Sequence, residues 1–72
     1  MKQTDRILKY MHDFGSITQL EAMQDIGCMR LAARIADLKR DGHAIRREME
    51  TSKNRYGEET SYARYRLVET RL

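Results

Sequence analysis

Seventy-two residues with 14 Lys+Arg against 11 Asp+Glu, a formal charge of +3, predict one small domain over 1–72 in which roughly 60% of the unfolded surface can be buried, too little for a deep active site. Hydrophobic residues at 40% suffice for a folded globule. No apolar run approaches the ~18 residues of a membrane span, no leading stretch resembles a signal peptide, and one cysteine, Cys28, builds neither a disulfide framework nor a zinc cluster, so the expectation is a cytoplasmic protein.

Proline is absent, and four glycines punctuate the chain. Helix 1 is predicted over about 4–14, because Ile7, Leu8, Met11 and Phe14 recur on one helical face. Thr4 is its expected N-cap and Gly15 its left-handed stop. Ser16 and Ile17 follow as a connector with room for no more than a single strand bridge. Helix 2, about 19–26, opens with Thr18-Gln19-Leu20-Glu21, a capping box in which hydroxyl and carboxylate satisfy each other's exposed amides. Leu20, Ala22, Met23 and Ile26 are expected inward. An isolated helix this short is unstable in water, so a neighbour must pack on it at once.

Helix 3, about 29–41, supplies that neighbour through Leu31, Ile35 and Leu38, with Cys28 and Ala32 at the stripe's edge. Arg30, Ala33, Arg34, Asp37 and Asp41 lie on the opposite face. Gly42 stops the helix, after Lys39 and Arg40 in the last turn. Beyond Gly42 the period becomes 2, predicting strands over about 43–52 and 60–68. The first groups Ile45, Arg47 and Met49 on one side. The second turns Ala63, Tyr65 and Leu67 inward and Tyr62, Arg64 and Arg66 outward. Lys53-Asn54-Arg55-Tyr56-Gly57 is the turn between them. A lone hairpin is marginal, so its inner face must lie against the helices. The methionines are expected to fill gaps in a small core.

This order describes an α+β, mostly α chain: three helices followed by a two-stranded β-hairpin. The run Gly15-Ser16-Ile17-Thr18-Gln19-Leu20-Glu21-Ala22, then Gly27 through Gly42, resembles a family of small phage and prophage winged helix-turn-helix proteins. Lys53 to Gly57 and Ala63 to Leu67 look like that family's wing. The likeness covers about 4–68 and implies a DNA-binding fold without naming an operator. Gln19 departs from it, standing where family members often carry proline. The turn before helix 3 is also two residues longer than in phage-repressor motifs if Ile35 and Leu38 are to face inward, which favours the winged variety.

Within that fold, Arg30 and Arg34 sit one turn apart and are expected to fork onto guanine edges or clamp phosphates. The bland reading is a solvated face with Arg34 paired to Asp37. Ala33 is small enough to touch a thymine methyl, or serves helix propensity alone. Asp37 repels phosphate unless it accepts from a cytosine amino group or orients Arg34. Gln19 is a weak candidate for phosphate. Lys53, Arg55 and Tyr56 at the wing tip, with Arg64 and Arg66 on its outer face, suit backbone or minor-groove contact, against a merely soluble turn. Arg46 and Arg47 are expected to pair with Glu48 or Glu50 across the strand. His12 and His43 lack metal-ligand spacing.

The expected function is sequence-specific binding of double-stranded DNA by a small phage-type regulator or recombination accessory protein. Helix 3 would lie in the major groove and the wing on backbone or minor groove. So small a module makes few contacts, so specificity calls for a homodimer or cooperative neighbours. A winged helix that binds a host or phage protein is the alternative. No nucleophile–base pair, phosphate-cradling loop or metal cluster points to an enzyme, and neither cofactor, membrane nor small-molecule substrate is expected.

Overall fold

A computed structural model describes residues 2–68. Helix α1 spans Gln3–Phe14, strand β1 Ser16–Thr18 and α2 Gln19–Glu21. The α2 turn runs straight into a π-helical turn, Ala22–Ile26, followed by α3 Leu31–Arg40, β2 Ile45–Lys53 and β3 Glu59–Leu67. Helix α1 begins before its expected cap. Extended Lys2 is the N-cap, and its carbonyl takes the Arg6 N–H at 3.1 Å, which places Thr4 inside the first turn.

Ser16 to Thr18 form a three-residue strand where no more than a single strand bridge was expected. They pair with β3 as Ser16↔Arg66, Ile17↔Tyr65 and Thr18↔Arg64, so the expected two-stranded hairpin is a three-stranded antiparallel sheet ordered β1-β3-β2. The pairing occupies one edge of β3 and buries Ile17 completely. In the hairpin the register runs from Ile45↔Leu67 to Lys53↔Glu59.

The capping box closes with both bonds, Glu21 N–H to Thr18 Oγ1 at 3.2 Å and Thr18 N–H to Glu21 Oε1 at 2.9 Å. From Ala22 the bonding widens to the π pattern, which changes the azimuth of each later residue. Ala22 and Ile26 stay against the core, while Leu20 and Met23, expected inward, are 60% and 42% exposed. Gly27 then turns the chain at φ +79°.

The core joins Ile7 and Met11 of α1, Ile17, Ala22, Cys28, Tyr65 and Ile45 to the α3 stripe Leu31, Ile35 and Leu38. Met11 is the one methionine buried among the described residues; Met29 and Met49 are 71% and 57% exposed. Met29 falls outside because α3 starts two residues later than expected, leaving it and Arg30 in the preceding turn. Met49 follows the alternation inward, but β2 runs past the helices there. The result is an elongated body of 43 × 24 × 21 Å.

Candidate nucleic-acid interface

Three buried leucine and isoleucine side chains hold one side of α3, so the other side must face water. Ala33 is exposed there and Arg34 and Asp37 are half-buried, while exposed Arg30 stands at the N-cap just before the helix instead of on the helical face expected for it. The Asp37 carboxylate lies between two guanidiniums, Arg40 at 2.9 Å and Arg34 at 3.6 Å. It is thus outnumbered by cations. Exposed pairs of this kind are worth at most about 1 kcal/mol, so Arg34 is readily released to another anion. Arg30 has no ion-pair partner among the described residues.

At the wing tip, Asn54 organises the turn. Its side-chain oxygen accepts the N–H groups of Tyr56 at 2.9 Å and Glu58 at 3.0 Å, and its own N–H donates to the Glu58 carbonyl at 2.9 Å. The Gly57 N–H closes the turn on the Asn54 carbonyl at 3.0 Å. Backbone held this way carries Arg55 and Tyr56 outward; Tyr56 is 83% exposed. Lys53 stands beside them, opposite Glu59.

The outer sheet face is different. The register sets Arg64 opposite Glu48 and Arg66 opposite Arg46, so each guanidinium of β3 finds its carboxylate on the diagonal. Arg64 donates through Nε to Glu50 at 2.8 Å and through Nη1 to Ser16 Oγ at 3.0 Å, with Glu21 Oε1 at 3.5 Å. The Arg64 bond, and after it one from Tyr62, holds the Glu50 carboxyl below its ordinary range. Arg66 is hydrogen-bonded to Glu48. Both arginines expected at phosphate are therefore matched within the fold, and Arg64 ties β2 and β3 to β1 and the α2 cap.

Since Glu48 and Glu50 serve Arg66 and Arg64, the expected pairing of Arg46 and Arg47 with these acids does not form. Arg47 shares a face with Ile45 and Met49 and stands opposite Tyr65, with no carboxylate partner among the described residues. It is an exposed cation on the face that also carries Lys53 farther along β2, with Met49 and Thr51 between them, and sequence reasoning missed it as a candidate contact. The available signal was an arginine in the inward register of a strand longer than its core.

Gln19 also has an internal task. Its amide donates to the Cys28 carbonyl at 2.8 Å and accepts the Leu31 N–H at 2.9 Å. Across the molecule, the Tyr10 hydroxyl donates to Asp25 at 2.7 Å and ties α1 to the π turn. That bond, with burial behind it, pushes the Tyr10 phenol up to about 12.

Helix, strand, short helix, turn, exposed-faced helix and hairpin, in that order and with β1 on the outer edge of β3, fix the comparison. Residues 2–70 match the winged helix-turn-helix domain family. The chain belongs to that family. Membership points in general terms to DNA as the partner of this winged helix. No curated protein and no solved structure matches it. Among the described residues no three or more His, Cys, Asp or Glu side chains gather to hold a metal ion, and no helix is long and apolar enough to cross a membrane.

Proposed function

We propose that this winged helix binds double-stranded DNA sequence-specifically, as a small phage-type regulator or recombination accessory protein working in the cytoplasm. The reading rests on one observation above others: α3 is buried along one side and carries Arg34 on the other, with exposed Arg30 at the N-cap position just before its first turn. That end of a recognition helix enters the major groove, which is about 12 Å wide.

Arg30 and Arg34 fork onto guanine O6/N7 or flanking phosphates. Ala33 allows close approach and meets a thymine methyl. Asp37 orients Arg34 or accepts from a cytosine amino group. Lys53, Arg55 and Arg47 meet phosphates, and Tyr56 enters the minor groove from the tip. Arg64 enters the reading as a brace that sets the wing's attitude, because Glu50, Ser16 and Glu21 hold its guanidinium. Arg66, whose exposed pair with Glu48 is released as readily as that of Arg34, meets phosphate. Two copies on a palindromic site, or cooperative neighbours, supply the remaining specificity.

Selection of bound duplex from a random pool at moderate salt tests this directly. The expected outcome is an enriched, half-site-symmetric sequence whose binding weakens steeply with salt, by about 0.9 in log K per log salt for each phosphate neutralised. A pool that stays random through successive rounds overturns it.

A further inference from the structure

We infer that Gln19 is a positioning residue for sequence readout, and that its amide presets the corner from which Met29 and Arg30 meet DNA. The inference rests on the DNA-binding reading above and adds a residue to it.

Cys28, Met29, Arg30 and Leu31 form a four-residue bend between the left-handed Gly27 and the first turn of α3. In an ordinary β-turn the first carbonyl accepts the fourth N–H directly. Here the Gln19 amide stands between them, accepting the Leu31 N–H at 2.9 Å and donating to the Cys28 carbonyl at 2.8 Å. Arg30, the N-cap of α3, has φ −128° and ψ 62° and offers no side-chain capping bond, so Gln19 supplies the missing cap from another helix. The ends of the bend are fixed inward, by Gln19 and by the fully buried Cys28 and Leu31 side chains. Its two central residues must then point out: Met29 is 71% exposed and Arg30 is exposed.

Gln19 is itself held. It is the first residue of α2, directly after Thr18, whose capping box fixes the backbone there. The chain of constraint thus runs from the Thr18–Glu21 box through the Gln19 amide to the corner carrying Arg30. Proline at this position, having no amide side chain, cannot make either bond.

Two readouts decide the matter in the full chain. By NMR hydrogen exchange, the Leu31 amide should be protected in the wild type and lose protection in Gln19→Met, which keeps length but not hydrogen bonding. Gln19→Glu retains the acceptor, so it should retain Leu31 protection. For binding, the probe is a duplex enriched from a random pool by the wild type, set against a scrambled duplex of the same composition. In Gln19→Met the preference for the enriched duplex should fall about tenfold, with affinity for the scrambled one unchanged within about twofold. A preference that survives in folded Gln19→Met overturns the inference, and so does a Leu31 amide that exchanges equally fast in wild type and variant. A wild type that enriches no duplex overturns the DNA reading instead, and exchange at Leu31 then decides the brace by itself.

Discussion

Arg64 and Arg30 carry the same guanidinium to opposite uses, and the difference lies in what stands opposite each. Arg64 faces Glu50, Glu21 and Ser16 at 2.8, 3.5 and 3.0 Å. Arg30 sits in a turn that offers no carboxylate. Because folding lowers the Glu50 value, the associated stability is complete above the unfolded carboxylate value of about 4.3 and is lost as pH falls through the folded one. Glu50→Gln should therefore melt earlier at neutral pH and lose that part of its acid dependence, as thermal unfolding across the acid range would report. Tyr10 runs the other way. Its phenol is raised, so stability is intact below about 10 and drains away as pH rises from there towards about 12. Tyr10→Phe should show a shallower alkaline fall in melting temperature, and an unchanged alkaline limb would refute the Tyr10–Asp25 bond.

Among the elements, those set by neighbours in sequence were legible and those set by distant partners were not. The capping box needs only Thr18 to Glu21, and the α3 stripe only one helical period, so both were readable. Strand β1 exists because residues 16–18 meet residues 64–66, and no local pattern announces that. The π turn, the reach of Gln19 to Cys28 and Leu31, and the diagonal Arg64–Glu50 pair are likewise products of packing. Of the expected DNA contacts, Arg30, Arg34 and the wing tip lie on outward surfaces; Gln19, Arg64 and Arg66 are engaged within the fold, which spacing alone could not reveal. The helix-to-helix turn depends on Gly27 at φ +79°, where an added Cβ meets open space and only backbone strain opposes it. Gly27→Ala should then cost about 1–2 kcal/mol, lowering the melting temperature by roughly 4–8 °C for each kcal/mol. In the wing, Asn54→Ala should speed hydrogen exchange at Tyr56 and Glu58 and weaken DNA binding without unfolding the core.

Taken whole, the molecule is a thin core with two projections, and both properties have consequences. A domain of this size has about 0.05–0.15 kcal/mol of stability per residue. Ile35, 2% exposed at the centre of α3, should cost about 2–5 kcal/mol when cut to alanine, a large share of that total. Chemical denaturation of Ile35→Ala should show it largely unfolded at modest denaturant. The molecule is 43 Å long, so on the proposed reading helix and wing would address different stretches of duplex. On the outer sheet face Glu50 and Glu48 match Arg64 and Arg66, whereas Arg30 before α3 and Arg47, Lys53 and Arg55 of the wing have no ion-pair partner among the described residues. The most direct check compares wild type with the Arg30→Ala/Arg34→Ala double variant on a selected duplex and on its scrambled counterpart at moderate salt. Discrimination between the two should disappear in the variant, with weak, salt-sensitive binding to both remaining through the wing. A double variant that still prefers the selected duplex as strongly as the wild type would contradict the assignment of α3 as the reading element.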